Sequence, residues 1–484
     1  MASTILPSSM PLDHLRRAGY ALSLPLALIL PDGRALHLQA MRRILPGQRY
    51  VGMAYFAGQP VLAKLFVGRK AAKHFALEEA GARLLAQQSL PTPPLLESGF
   101  APREKVGWLL FTYLANARTL AEQLADDTGS ETMLRATVAI AHLHAQGLWQ
   151  EDLHPGNLLL QEGKFFWIDG GSIRAEEPGR PLSPARALDN YGMFLAQLPL
   201  RRMLAENALA DVLAVYQKAN PACVIKMSAL KKAVVRQRRA RLRDWLRKIG
   251  RTCSDFIRRQ NGWRGAFGLT MVRREEAERL APLLANPDAF IAQGEIYKDG
   301  GTATVVRVTF EGRALILKRY NIKNWRHRLS RCWRESRAYT SWREGNRMLA
   351  LGLETARPLA MIEERWFWLR GRAWLILEHV AGENALNWLK APEQQQEIEA
   401  LQTLMAELAA ARLSHGDMKG TNLIWQAESG RWALIDLDGM RAHRCGFFYQ
   451  SAHRRDLRRL LQNWPEEGET GALRQTLVKL LTQA

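Results

Sequence analysis

His415-Gly416-Asp417-Met418-Lys419-Gly420-Thr421-Asn422-Leu423-Ile424, followed by Leu434-Ile435-Asp436-Leu437-Asp438-Gly439, has a counterpart earlier in the same chain. Gln150-Glu151-Asp152-Leu153-His154-Pro155-Gly156-Asn157-Leu158-Leu159, followed by Trp167-Ile168-Asp169-Gly170-Gly171, repeats its grammar. In each, an Asp precedes an Asn by five positions, an apolar strand-like run follows, and an Ile-Asp pair closes the block. The Asn-to-Asp spacings, 14 and 12 residues, differ by what one hairpin loop absorbs. A single Asp-x4-Asn says little, because both residues are common in turns and caps. An ordered set that occurs twice says much more.

Upstream of each block a Lys sits in an alternating apolar segment, Val61-Leu62-Ala63-Lys64-Leu65-Phe66 and Leu315-Ile316-Leu317-Lys318-Arg319-Tyr320. Apolar flanks make an unpaired ammonium costly, so each Lys needs an anionic partner. Each follows a glycine by 17 residues, Gly47 and Gly301. Between Lys and Asp both copies show a helical stretch, a turn (Leu90-Pro91-Thr92-Pro93 or Leu353-Glu354-Thr355-Ala356), an apolar strand (Trp108 to Leu114 or Trp374 to Val380) and a long helical pattern (Thr132 to Ala145 or Glu397 to Ala411). The order is glycine turn, strand Lys, helix, strands, helix, Asp-x4-Asn loop, strand, Asp.

Phosphoryl transfer from ATP needs a Lys on the α/β-phosphates, a carboxylate for the hydroxyl proton, and an Asn with a second Asp to hold Mg²⁺. Each copy supplies that set in the order used by the protein-kinase-like superfamily, which the chain resembles. The second copy, from Tyr297-Lys298-Asp299-Gly300-Gly301-Thr302 to Arg441, is similar to the lipopolysaccharide core heptose/Kdo kinases. Asp152-Leu153-His154-Pro155-Gly156-Asn157 also resembles aminoglycoside-type small-molecule phosphotransferases. The resemblance implies Asp417 as base, Lys419 on the γ-phosphate, Asn422 and Asp436 on Mg²⁺, and Lys318 on the α/β-phosphates. Glu344, with Glu335 as its rival, would pair with Lys318, and Gly300, Gly301 and Thr302 would let backbone N–H groups approach phosphate. Asp438 reads as a turn residue that could assist the metal.

In the first copy the corresponding residues are Lys64, Glu79, Asp152, Asn157 and Asp169, with Glu78 as the alternative partner of Lys64. This copy departs from the pattern at Gln150, where a His is usual, at His154, which replaces the loop Lys, and at Gly170-Gly171 after the metal Asp. Its glycine turn, Pro46-Gly47-Gln48-Arg49-Tyr50-Val51-Gly52, is a weak match. It reads as a second active kinase domain or a regulatory one. The expected fold is α+β: two tandem bilobal protein-kinase-like domains, 1–225 and 286–484, joined by a basic amphipathic helical linker, 226–285.

The 484 residues carry 68 Lys+Arg against 47 Asp+Glu, a formal charge of +21. A composition that is 47% hydrophobic and 24% charged excludes an intrinsically disordered chain. The excess asks for a polyanion. It concentrates between Lys231 and Arg264, with 13 Lys/Arg against Asp244 and Asp255, where Leu242, Trp245, Leu246, Ile249, Phe256 and Ile257 recur at helical spacing. A second cluster, Arg319 to Arg347, interleaves Arg326, Arg328, Arg331, Arg334, Arg337 and Arg343 with Trp325, Trp333 and Trp342. Either these charges are solvated over a packed stripe, or they dock to anionic lipid headgroups or a phosphorylated glycolipid core. No nucleic-acid module accompanies them.

The four cysteines are widely spaced, which reads as free thiols in a reducing compartment. The longest apolar run, Tyr20 to Leu30, contains Pro25 and is too short for a bilayer span, and no signal peptide is evident. The expected place is the cytoplasm, at the inner face of a bacterial inner membrane, with a lipopolysaccharide core or lipid-linked sugar as substrate. Oligomeric state is not legible. The same chemistry would also suit a protein or small-molecule kinase, and a kinase-like scaffold without phosphoryl transfer is the rival from another class.

Overall fold

The computed structural model describes residues 9–19, 22–126, 131–205, 207–263, 266–321, 335–366, 369–468 and 470–481. Two compact units divide the chain: residues 1–197 with 207–237, and residues 198–206 with 238–484.

The first unit opens with a seven-stranded sheet. Its strands are β1 (Ser9–Pro11), β2 (Leu26–Ile29), β3 (Ala35–Leu45), β4 (Arg49–Phe56), β5 (Gln59–Val67), β6 (Leu95–Ala101) and β7 (Val106–Thr112), in the order β1-β2-β3-β4-β5-β7-β6. Strand β5 is central: Lys64 stands opposite Val51 on β4 and Leu109 on β7. Alternation puts Val61, Ala63 and Leu65 into a core with Leu28, Leu36, Tyr50, Val106 and Leu110. Phe66, Leu109 and Phe111 face the other way, onto Ala71 and Ala82 of helix α1 (Ala71–Gln87).

The remainder of this unit is mainly helical: α2 (Leu120–Asp126), α3 (Glu131–Ala145), α4 (Pro184–Leu195) and α6 (Ala208–Ala219). Helix α5 (Leu200–Leu204) groups with the second unit, and α7 (Met227–Lys248) begins in the first. Short strands β8 (Arg118–Thr119), β9 (Leu148–Gln150), β10 (Leu158–Gln161), β11 (Lys164–Trp167) and β12 (Ile173–Ala175) carry the Asp-x4-Asn loop. Helix α3 buries Met133, Ala136, Thr137, Ile140, Ala141 and His144, a helical stripe. His144 is enclosed between Tyr216 Oη at 2.7 Å and Asn190 Oδ1 at 3.0 Å.

The second unit repeats the plan. Its sheet contains β13 (Phe256–Trp263), β14 (Ala266–Arg273), β15 (Glu295–Gly300), β16 (Ala303–Phe310), β17 (Arg313–Tyr320), β18 (Pro358–Trp366) and β19 (Leu369–Glu378), in the order β13-β14-β18-β19-β17-β16-β15. The five strands β15-β16-β17-β19-β18 match β3-β4-β5-β7-β6 in order, and Lys318 stands opposite Val305 and Leu375 as Lys64 does opposite Val51 and Leu109. The added strands lie on opposite edges: β1 and β2 beyond β3 in one unit, β13 and β14 beyond β18 in the other. Helices α8 (Ala281–Ala285), α9 (Pro287–Gln293), α10 (Arg337–Leu351), α11 (Ala385–Trp388), α12 (Gln395–Ala411), α13 (Gly446–Leu461) and α14 (Gly471–Leu481) complete the unit with strands β20 (Leu413–Ser414), β21 (Leu423–Gln426), β22 (Arg431–Leu434) and β23 (Arg441–Ala442). Leu404, Met405 and Leu408 of α12 pack with Leu423, Leu434 and Trp464 in its helical core. Both units therefore show a mixed α+β architecture of the protein-kinase-like kind, sheet first and helices after.

One expectation is corrected here. Residues 226–285 are not a helical linker throughout: α7 ends at Lys248, and 256–263 and 266–273 pair as the antiparallel strands β13 and β14 within the second sheet. Ile249 and Phe256 do share a core with Trp342, but Phe256 is reached after a break at Gly250–Asp255 and belongs to a strand. Two periods, 3.6 and 2, had run together as one stripe.

The buried histidine gives a pH-dependent stability. Burial pushes His144 down from 6.5 to about 4. Above pH 6.5 folded and unfolded chains both carry a neutral ring, and the contribution is complete. Between 6.5 and about 4 the unfolded chain takes up a proton that the folded unit refuses, so stability falls by roughly 1.4 kcal/mol per pH unit. Urea denaturation across this range should show a pH slope that is shallower in H144Q than in the parent protein by about this amount.

Candidate active site

In the second unit the Asp-x4-Asn loop follows β20. The fully buried ring of His415 sends its Nε2–H to the Ile435 carbonyl, 2.9 Å, while Nδ1 accepts from Asp417 N–H at 3.3 Å. The N–H groups of His415 and Gly416 donate to the Asp456 carboxylate of α13 at 2.7 and 2.9 Å. Asn422 Nδ2 donates to the Asp417 carbonyl at 2.9 Å, and the Asn422 carbonyl accepts from Ile435 N–H at 2.9 Å. These bonds bring Asp417, Asn422 and Asp436 to one place. Asp417 lies between two cations, Lys419 Nζ at 3.1 Å and Arg459 Nε at 3.0 Å.

Asp436 adopts a left-handed backbone, φ 60° and ψ 58°, which is rare outside glycine and clusters at functional sites. It accepts from Lys318 Nζ at 2.9 Å. Burial pushes its carboxyl up, but the Lys318 ammonium outweighs burial and holds it below its ordinary value. Asp438 goes the other way, raised by burial and by Asp436 beside it. It pairs with Arg337. Neither proposed helical carboxylate reaches Lys318. Glu344, 1% exposed, is held by Arg343 Nε at 2.7 Å and Arg347 Nε at 2.6 Å, while Glu335 pairs with Arg343. At the β15–β16 turn the Gly300 and Thr302 carbonyls accept from Asn321, and a Cβ on Gly300 would meet Ala303 O at an ordinary 3.5 Å.

The first unit builds the same frame from different residues. Gln150 Nε2 donates to the Ile168 carbonyl at 2.8 Å, the bond that His415 makes to Ile435. Asn157 Nδ2 donates to the Asp152 carbonyl at 3.0 Å, its own carbonyl accepts from Ile168 N–H at 3.1 Å, and Asp169 has φ 64° and ψ 58°. Asp152 lies exposed on the loop, and His154 Nδ1 accepts from Gly156 N–H. Lys64, however, pairs with Glu78, with Asp169 Oδ1 3.9 Å away. Glu79 is engaged by Arg83 and Ser98 instead. Helix period separates the two: Glu78 shares the buried face with Ala82 and Leu85, and Glu79 does not.

Gly170-Gly171 explains why, among the described residues, the first unit makes the Lys–Glu pair and the second does not. A Cβ on Gly81 of α1 would lie 1.9 Å from Gly170 O, and one on Gly170 would lie 2.7 Å from Glu78 O. Backbone therefore meets backbone, and Gly171 N–H donates to Glu78 Oε2 at 3.1 Å. In the second unit Leu437-Asp438 fills these positions, and a side chain, Leu437 Cδ1, faces Gly345 of α10. Between sheet and helices the first unit has a cleft of 570 Å³, lined by Val51, Leu62, Lys64, Phe111, Leu159 and Asp169 among others. That is the size of a ligand site. The cavity beside Lys318 and Asp436 is about 10 Å³.

Both residue sets fit Mg²⁺. The Asn amide nitrogen is committed to a backbone carbonyl, leaving its oxygen as a hard donor next to one Asp. Two protein oxygens suit an ion that otherwise keeps water and phosphate oxygens. Among the described residues no group of three or more His, Cys, Asp or Glu converges as a metal cage.

The basic clusters fare differently. Arg326, Arg328, Arg331, Arg334, Trp325 and Trp333 lie outside the described residues. Of the others, Arg337 and Arg343 are ion-paired, and Trp342 is buried with its indole N–H on the Ile249 carbonyl. On α7, Arg238 bonds the Leu198 carbonyl and burial pushes it down to about 10, whereas Lys231, Lys232, Arg239, Arg241 and Arg243 are exposed. No described helix is long and apolar enough to cross a membrane.

No curated protein matches the sequence. Among solved structures the chain is similar to WaaP in complex with acyl carrier protein (15% identity, TM-score 0.32, 42% of this chain and 89% of that one). It is also similar to vaccinia related kinase 3 (15%, 0.28, 48% and 94%) and to WbdD (18%, 0.30, 42% and 51%). Residues 291–479, which carry Lys318, Asp417, Asn422 and Asp436, match the model of the Lipopolysaccharide kinase (Kdo/WaaP) family.

Proposed function

We propose that the second unit, from about residue 286 onward, transfers the γ-phosphoryl group of ATP to a heptose or Kdo hydroxyl of the lipopolysaccharide core, at the cytoplasmic face of the bacterial inner membrane. The observation that carries this reading is the family match over 291–479, which encloses the Asp417–Asn422–Asp436 cluster. Asp417 takes the proton of the attacking sugar hydroxyl as its oxygen bonds to phosphorus and the bond to the leaving ADP oxygen breaks. Lys419, at 3.1 Å from Asp417, offsets charge on the transferring group. Asn422 and Asp436 hold Mg²⁺, which neutralises the phosphates when bound. Lys318 holds the α/β-phosphates under the Gly300-Gly301-Thr302 turn. For that, the Lys318 ammonium has to exchange its Asp436 contact for phosphate.

The first unit is proposed as a second ATP–Mg²⁺ site, with Lys64, Glu78, Asn157 and Asp169 as its binding residues and Asp152 as its base. Its paired Lys64 and its 570 Å³ cleft support that reading. A scaffold without phosphoryl transfer draws support from Glu344, which is committed to two arginines and not to Lys318.

The Asp417→Ala protein should lose at least about a thousandfold of ATP-dependent phosphorylation of core oligosaccharide, read by mass, while still binding nucleotide. Undiminished activity would remove the assignment to this unit. In titrations with Mg²⁺–ATP, Lys64→Met should weaken binding at the first unit about tenfold or more and leave the second unit's binding in place. Absence of binding by either unit would favour the scaffold.

A further inference from the structure

A surface beside the Asp417 loop remains unaccounted for. It consists of β23 and the short segment 443–445 that leads into α13, together with the outward face of that helix. Phe447 and Phe448 stand 74% and 66% exposed there, their rings edge to face at 5.8 Å. Two adjacent phenyl rings left in water are a cost that folding alone does not explain. Around them Arg441, Arg444, Arg454 and Arg455 are also exposed, without a carboxylate partner among the described residues. From Arg441 to Asn463 the sequence has one acidic residue, Asp456, and its carboxylate is buried under the N–H groups of His415 and Gly416.

The same elements are fastened to the catalytic loop. Arg441 and Ala442 pair with Ser414 and Leu413, and His443 Nε2 lies 2.7 Å from Ser414 Oγ. Further along α13, Arg459 lies 3.0 Å from Asp417. Whatever seats on the phenyl rings is thereby held in fixed register with Asp417. The exposed face of α7 is basic too, but its exposed large apolar residue is Val235, and Trp245 packs into the core with Phe256 and Trp342.

We propose that the Phe447–Phe448 tip and its arginines are a docking surface for an anionic lipid bilayer, with the rings at the acyl boundary and the guanidinium groups at the headgroup phosphates. Aromatic rings ringed by arginine suit that boundary, where an apolar layer lies directly below a layer of negative charge. The inference rests on the proposed function for its choice of a lipid-linked acceptor, and it names the surface that brings such an acceptor to Asp417.

Flotation of the full chain with vesicles tests it. The protein should float with phosphatidylethanolamine–phosphatidylglycerol vesicles and not with phosphatidylcholine alone. F447S/F448S should reduce flotation about tenfold or more, and R441Q/R444Q, which removes no apolar contact, should reduce it and flatten its salt dependence. A parent protein that does not float, or variants that both float as well as the parent, would overturn the proposal. So would retention on immobilised polyglutamate with no vesicle binding, which would give the surface to an acidic protein. Flotation needs neither ATP nor sugar. A protein that floats through these residues but phosphorylates no core acceptor would therefore lose the kinase reading and keep this one.

Discussion

One partly buried hydrogen bond ties the loop to the hairpin in each site. A side-chain N–H at the start of the Asp-x4-Asn loop donates to the carbonyl of the Ile that precedes Asp169 or Asp436. Because a carbonyl shielded from water and left without a donor is expensive, that bond, with the Ile N–H to Asn carbonyl bond beside it, fixes the distance between loop and hairpin. The neighbouring Asp then turns into a left-handed conformation that a β-branched residue would resist and that a carboxylate tolerates. Lys318 in one unit, and the pairing of Lys64 in the other, can meet that Asp only because its place is already set. His415 and Gln150 are different chemistries performing the same act.

From this common frame the units diverge at the helix. Glycines at 170 and 171 let α1 come down until a buried Glu78 reaches both Lys64 and a backbone N–H. Leucine and aspartate at 437 and 438 keep side chains in that space, and Glu344 satisfies its buried charge with two arginines of its own helix. A buried carboxylate must have such partners. The ammonium of Lys318 is then balanced by Asp436 alone among the described carboxylates. The same five-strand core thus holds its lysine in two electrostatic states.

Much of this was legible in the chain. Lys64, Lys318, both Asp-x4-Asn loops and both Ile-Asp pairs announce themselves because strand alternation and fixed spacing are local properties. Glu79 and its alternative Glu78 are adjacent in sequence, and the buried stripe through Ala82 and Leu85 distinguishes them in favour of Glu78. Asp456 and Arg459 could not be read, since they reach the loop from some 40 residues away with no motif to mark them. The departure at Gly170-Gly171 was visible, but its cause is a close approach of two backbones, which no local pattern encodes. The stretch from Lys231 to Arg264 failed for a further reason: a helix stripe and a strand alternation abut there, and their apolar residues concatenate.

The antiparallel pair β13 and β14 decides how the second sheet ends. Strand β14 pairs with β18 along seven residues, from Ala266 opposite Trp366 to Val272 opposite Ala360. A chain cut to the family-matched span, 291–479, would leave β18 as a bare edge, with its N–H and C=O groups open to the next molecule. It would also lack the segment that includes Leu200, which packs into the helical core, and Arg201, whose N–H meets Glu407. The family-matched part of this unit is therefore smaller than the part that covers the β18 edge and completes the helical core, and the difference is supplied by residues outside the family match.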